Sequence, residues 1–136
     1  MMSHANETRP RPIALVVDDE EIIRLLMTQA LQIAGFQVEE AGDGPTALAM
    51  MEELTPDVVL LDARLPGMDG FRVCQAIRQL PSGKAVPVVM MTAMDDARLR
   101  EWASEVGATD IIGKPFNLLS LGQRAMALAR AATVGP

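Results

Sequence analysis

The chain has 136 residues, 49% of them hydrophobic, with 12 Lys+Arg against 18 Asp+Glu and a net charge of −6. That length suits one compact domain, and the hydrophobic share is too high for a disordered chain. The acidic balance argues against direct nucleic-acid binding and a polybasic membrane anchor, while a single cysteine, Cys74, leaves neither an intrachain disulfide nor a thiolate metal cluster.

The opening MMSHANETRPRP is polar and interrupted by proline, without the apolar core of a secretory signal. No apolar run approaches the roughly 18 residues of a membrane span. A cytoplasmic location without membrane contact is therefore expected. Residues 1–11 read as a flexible tail, 12–132 as one domain, and 133–136 as a C-terminal tail or the start of a linker.

Two kinds of apolar block then alternate. Ile13–Val17, Asp57–Leu61 and Pro87–Met91 are continuous apolar runs, as expected of strands buried on both faces. Gln37–Glu40 and Thr109–Ile112 are weaker strands. Helical patterns separate them. Glu21–Ala34 places Ile22, Leu26, Ala30 and Ile33 on one face, and Gly35 follows as a stop. Pro45–Leu54 opens with Pro near its first position and turns Ala47, Met51 and Leu54 inward. Phe71–Leu80 presents Phe71, Cys74 and Ile77. Asp95–Val106 presents Leu99, Trp102 and Val106, and Gly107 ends it. Leu118–Ala131 follows Asn117 as N-cap and presents Leu118, Leu121, Ala125 and Leu128. Strict strand–helix alternation with right-handed crossovers predicts an α/β fold, a doubly wound parallel sheet with five strands and five helices.

In such sheets the site lies beyond the carboxyl ends of the strands. Asp18, Asp19 and Glu20 follow the first strand, Asp62 the third, Thr92 the fourth and Lys114 the fifth. Two unit charges about 4 Å apart interact by roughly 4 kcal/mol at an effective dielectric of 20. Gathering Asp18, Asp19 and Asp62 therefore requires compensation. Lys114 supplies part of it, and a hard divalent cation with oxygen-only ligation, Mg²⁺ or Mn²⁺, supplies more. A carboxylate is also a competent nucleophile toward phosphorus, giving an aspartyl-phosphate.

The segments VVDDEE (16–21), LLDARLPGMDGF (60–71), VVMMTA (88–93) and GKPF (113–116) resemble response-regulator receiver domains, over about residues 12–131. The resemblance implies the flavodoxin-like receiver fold with strand order 2-1-3-4-5. It implies Asp62 as phosphoacceptor, Asp19 as a direct metal ligand, and Asp18 acting mostly through water. The backbone carbonyl of Arg64 becomes the third protein ligand, Thr92 the switch hydroxyl and Lys114 the phosphate-binding lysine, with a cis Lys114–Pro115 bond. The implied partners are a sensor histidine kinase or a histidine phosphotransfer protein. A homodimer on phosphorylation and an attached output domain are further outcomes the family allows. The implied output surface is the fourth helix, fifth strand and fifth helix. The final KPFNLLSLGQRAMALARA resembles the last helix of receivers that precede cyclic-di-GMP modules. One departure stands out: the aromatic switch residue of many receivers is replaced by Ile111, and the chain has no Tyr.

Other residues have simpler expected roles. Asp69 with Gly70 reads as turn and N-cap, Glu20 as solvated, and Met50, Met51, Met90, Met91, Cys74 and Trp102 as packing. Arg64 and Met94 flank the path of attacking water. A haloacid-dehalogenase-type phosphohydrolase also uses an Asp nucleophile and Mg²⁺, but it carries a second Asp two positions on, where this chain has Arg64. A receiver-like binding module without phosphorylation is the third alternative.

Overall fold

The structure, a computed structural model, describes residues 11–93 and 97–134. Residues 1–10 of the expected tail at 1–11, with Met94 and Asp95, lie outside the described residues, as do the last two residues of the chain.

Strands β1 (Ile13–Val17), β2 (Gln37–Ala41), β3 (Val58–Asp62), β4 (Val88–Thr92) and β5 (Asp110–Gly113) alternate with helices α1 (Glu21–Ala34), α2 (Gly44–Leu54), α3 (Gly70–Gln79), α4 (Ala97–Glu105) and α5 (Leu118–Val134). A short 3₁₀ turn at Pro81–Gly83 joins α3 to β4. All five strands are parallel, in the order β2-β1-β3-β4-β5. The chain leaves β1 for one side of the sheet and later returns to its other side at β3. That reversal opens a crevice beyond the carboxyl ends of β1 and β3.

The continuous apolar strands follow from burial on both faces. Side chains alternate across a strand, so Leu15, Val17, Val59, Leu61, Val88 and Met90 face α2 and α3, where Met51, Val73, Cys74 and Ile77 meet them. Ala14, Val16, Val58, Leu60, Val89 and Met91 face the other way, onto Met27, Leu31, Leu121 and Ala125 of α1 and α5. The edge strands β2 and β5 are only partly buried, which explains their weaker apolar signal.

Side-chain caps mark several helix starts. Asp43 accepts from the Thr46 N–H at 2.8 Å, Asp69 from Arg72 at 2.9 Å and Asn117 from Ser120 at 2.9 Å. Gly35 ends α1 at φ 113°, in the left-handed region where glycine is unstrained.

Three expectations about helix faces are corrected. Ile22, Leu26 and Ile33 are exposed, and α1 instead buries Met27, Ala30 and Leu31, with Ile23 and Ala34 partly covered. Both sets have helical spacing, so periodicity alone cannot choose between them. Trp102 is 54% exposed, and Ala103 is the buried residue of α4. Leu118 is exposed at the start of α5, and that helix runs past Ala131 to Val134. The sheet meets only one narrow strip of each helix, and long side chains at its margins stay in solvent.

Candidate functional site at the strand ends

Register brings the site together. Val17 pairs with Leu61, so the next residues, Asp18 and Asp62, emerge side by side. Asp62 pairs with Met91, one residue before Thr92. Thr92 pairs with Gly113, one residue before Lys114. The Lys114 N–H donates to the Thr92 carbonyl at 2.7 Å, tying the last two strands at the rim. The Lys114–Pro115 peptide is cis, as expected.

Asp18 and Asp62 are buried, while Asp19 and Glu20 are exposed. Carboxylate oxygens of Asp18, Asp19 and Asp62 lie within 4.8 Å of one another. The Lys114 ammonium reaches Asp18 Oδ2 at 3.0 Å and Asp62 Oδ2 at 3.4 Å, so one cation bridges two buried carboxylates. Asp18 Oδ1 accepts the Glu20 N–H at 2.9 Å, and Asp62 Oδ1 accepts the Arg64 N–H at 3.1 Å. The second bond ties the backbone at Arg64 to the Asp62 carboxylate just after β3. Thr92 is buried at the same rim.

The electrostatics leave the cluster with an excess of negative charge. Burial pushes the Asp62 carboxyl above the ordinary range, and repulsion from Asp18 adds to this. The Arg64 N–H and the Lys114 charge oppose the shift without cancelling it. Burial alone would lower the Lys114 pKa. The Asp18 hydrogen bond and the charges of Asp62 and Asp18 outweigh it and hold Lys114 above an ordinary lysine. Lys114 therefore stays protonated yet does not relieve Asp62 fully. Three converging carboxylates, all oxygen donors, with more negative charge than the local lysine satisfies, fit a hard divalent cation.

Thus Asp18, Asp19, Asp62, Thr92, Lys114 and the Arg64 backbone converge, whereas Glu20 points to solvent and Met94 lies outside the described residues. Sequence reasoning missed two supporting residues. Arg24, on the second turn of α1, donates to the Asp18 carbonyl at 2.8 Å and pairs with Glu40 at 3.2 Å, bracing the acidic loop. Gly70 is more than a turn residue. A Cβ there would stand 2.2 Å from the Asp62 carbonyl oxygen, so α3 can start only because this residue has no side chain. A basic residue within two turns of an acidic pair, and a glycine opening a helix, were the available signals.

Comparison with known proteins agrees with this geometry. The family model for the response regulator receiver domain matches residues 14–126. Response regulator PleD of Caulobacter vibrioides is 42% identical over 116 residues, covering 85% of this chain and 26% of that protein. The transcriptional regulatory protein ResD of Bacillus subtilis is 39% identical over 132 residues, covering 97% and 52%. The chain therefore spans between a quarter and about half of these relatives. Among solved structures, the Vibrio cholerae chemotaxis protein CheY4 superposes with a TM-score of 0.83 at 34% identity, covering 87% of this chain and 98% of that one. The receiver domain of a Pseudomonas aeruginosa sensor histidine kinase, with a magnesium ion coordinated in its active-site cleft, gives 0.81 at 27% identity, covering 90% and 99%. Fold, site and likeness over most of its length agree: the chain belongs to the response regulator receiver domain family of two-component signalling.

Proposed function

We propose that Asp62 accepts a phosphoryl group from the phosphohistidine of a sensor kinase or of a phosphotransfer protein. An oxygen of its carboxylate attacks phosphorus, the bond from phosphorus to the donor's imidazole nitrogen breaks, and an acyl phosphate forms. Attack by water later returns the carboxylate and inorganic phosphate. The observation that carries this reading is the Lys114 ammonium set between Asp18 and Asp62 within a three-carboxylate cluster.

Asp18, Asp19, Asp62 and the Arg64 carbonyl are the residues that would hold Mg²⁺, or Mn²⁺ in its place. When bound, the ion supplies positive charge that offsets the oxygens of the incoming phosphoryl group. The chain's own groups do the rest. Asp62 is presented at a strand end with one oxygen held by the Arg64 N–H. Lys114 stays charged and is placed to pair with phosphoryl oxygens. The Thr92 hydroxyl stands at the same rim to donate to a product oxygen. The added charge, about −1.5 to −2 by analogy with other phosphorylated side chains, is the signal. It changes the surface around α4, β5 and α5, which an output domain or a protein partner reads.

Incubation with acetyl phosphate and Mg²⁺, followed by intact mass measurement, tests this reading. A gain of one phosphoryl group is expected, absent in Asp62→Asn and without Mg²⁺. An equal gain in Asp62→Asn would refute it.

A further inference from the structure

We propose that Phe71 and Trp102 form a relay that carries the state of Asp62 to the exposed side of α4, in a fold whose β5 offers Ile111 where an aromatic ring would serve. The relay rests on the phosphoacceptor reading and adds a route by which it is reported.

The route starts at Gly70. A Cβ at this position would lie 2.2 Å from the Asp62 carbonyl oxygen and 2.8 Å from Ala63 Cα. The Gly70 N–H also donates to the Ala63 carbonyl at 3.0 Å. The first turn of α3 is therefore in direct backbone contact with the site strand. Phe71 comes next in the chain, and its ring meets Trp102 of α4 edge to face, with centroids 5.7 Å apart and planes at 81°. This arrangement is one that ring quadrupoles favour.

Phe71 also borders a cavity of about 210 Å³, lined in addition by Thr92, Leu99, Ala103, Ile111 and Lys114. Among the described residues, Phe71 is the only ring on its wall. Thr92 and Lys114 of the site therefore line the same cavity as the ring that touches Trp102. On the other side of that volume, α4 is only nine residues long, and Ala103 is its buried side chain. A short helix with little buried surface, set beside unfilled space, can adopt a second packing at small cost. When phosphoryl oxygens arrive at Asp62, Thr92 and Lys114 turn toward them. The cavity changes shape, the Phe71 ring follows, and Trp102 changes its environment. The Gly70–Ala63 and Phe71–Trp102 links are direct contacts, and the cavity couples Thr92 and Lys114 to Phe71 through its shared wall.

Trp102 is the single tryptophan and the chain has no tyrosine, so intrinsic fluorescence reports this residue alone. The experiment records Trp102 emission and intact mass together, on the full chain with Mg²⁺ and acetyl phosphate. In the wild type, emission is expected to shift as the phosphorylated mass accumulates. In Phe71→Leu the mass gain should remain and the emission shift should be lost. Ile111→Phe, which fills the cavity from another element, should also lose the shift while keeping the mass gain. A mass gain without an emission shift in the wild type overturns the relay alone. So does an undiminished shift in either folded variant. No mass gain in the wild type overturns the phosphoacceptor reading, and the relay with it.

Discussion

At the scale of residues, the site is a charge problem with an incomplete solution. Asp62 holds its proton more tightly in the fold than in the unfolded chain, because burial and then Asp18 disfavour its charge. A raised carboxyl pKa gives a native state that binds more protons, so stability falls as pH rises above the ordinary value of 3.8. Metal-free Asp62→Asn should therefore melt higher than the wild type at neutral pH, with the gap closing as pH falls toward the carboxylate range. Thermal melts across pH in a chelator check this. Added Mg²⁺ should reverse the order. Lys114 behaves oppositely. Its raised pKa contributes stability that is complete below the ordinary 10.5 and is lost as pH rises through the folded value. Lys114→Gln should cost about 1–3 kcal/mol, below the roughly 3–5 of a fully buried pair because the lysine is partly exposed. It should also slow phosphorylation by acetyl phosphate about 100-fold, comparable to losing one charge-stabilising donor. Denaturant titration and timed mass measurement read the two effects separately.

At the scale of elements, position rather than chemistry decides the effect of a change. Gly70→Ala would drive a methyl group into the backbone of β3 and should cost about 2–3 kcal/mol, as overpacking does. Gly67→Ala meets nothing within 4 Å, but φ is 78°, so it should cost only about 1–2 kcal/mol of backbone strain. Urea midpoints of the two variants test that ranking. On α1, Leu31→Ala should cost about 2–5 kcal/mol, whereas Ile33→Gln should fall within about 0.5 kcal/mol of the wild type. The same helix shows how far the chain could be read in advance. Its ends at Glu21 and Ala34 were legible, because Gly35 and the surrounding strands bound it. Its buried face was not, since apolar residues run around more than half of it. The three central strands, with Asp18, Asp62 and Thr92 at their ends, were legible because each is a short apolar run that meets a polar residue. Arg78 was illegible because it reaches Gly107, 29 residues further along the chain. Arg78 donates to the carbonyls of Gly83, Val86 and Gly107 and so ties the end of α3 to the entrances of β4 and β5.

At the scale of the whole molecule, the parallel sheet turns separate stretches of sequence into one rim. Register does this without direct pairing among the site residues, because each follows or ends a strand whose neighbour is fixed. Among the described residues, no helix is long and apolar enough to cross a membrane. A cation that binds the folded rim and not the unfolded chain should stabilise the whole domain, by about 1.4 kcal/mol at a free concentration ten times its dissociation constant. Acyl phosphates are cleaved by borohydride, which leaves homoserine where the phosphorylated aspartate stood. Peptide mapping of the protein after phosphorylation and borohydride treatment is therefore the most direct measurement. Homoserine at position 62, dependent on Mg²⁺, is the expected result. Homoserine at Asp18 or Asp19, or at no position in a protein that has gained phosphoryl mass, would contradict it.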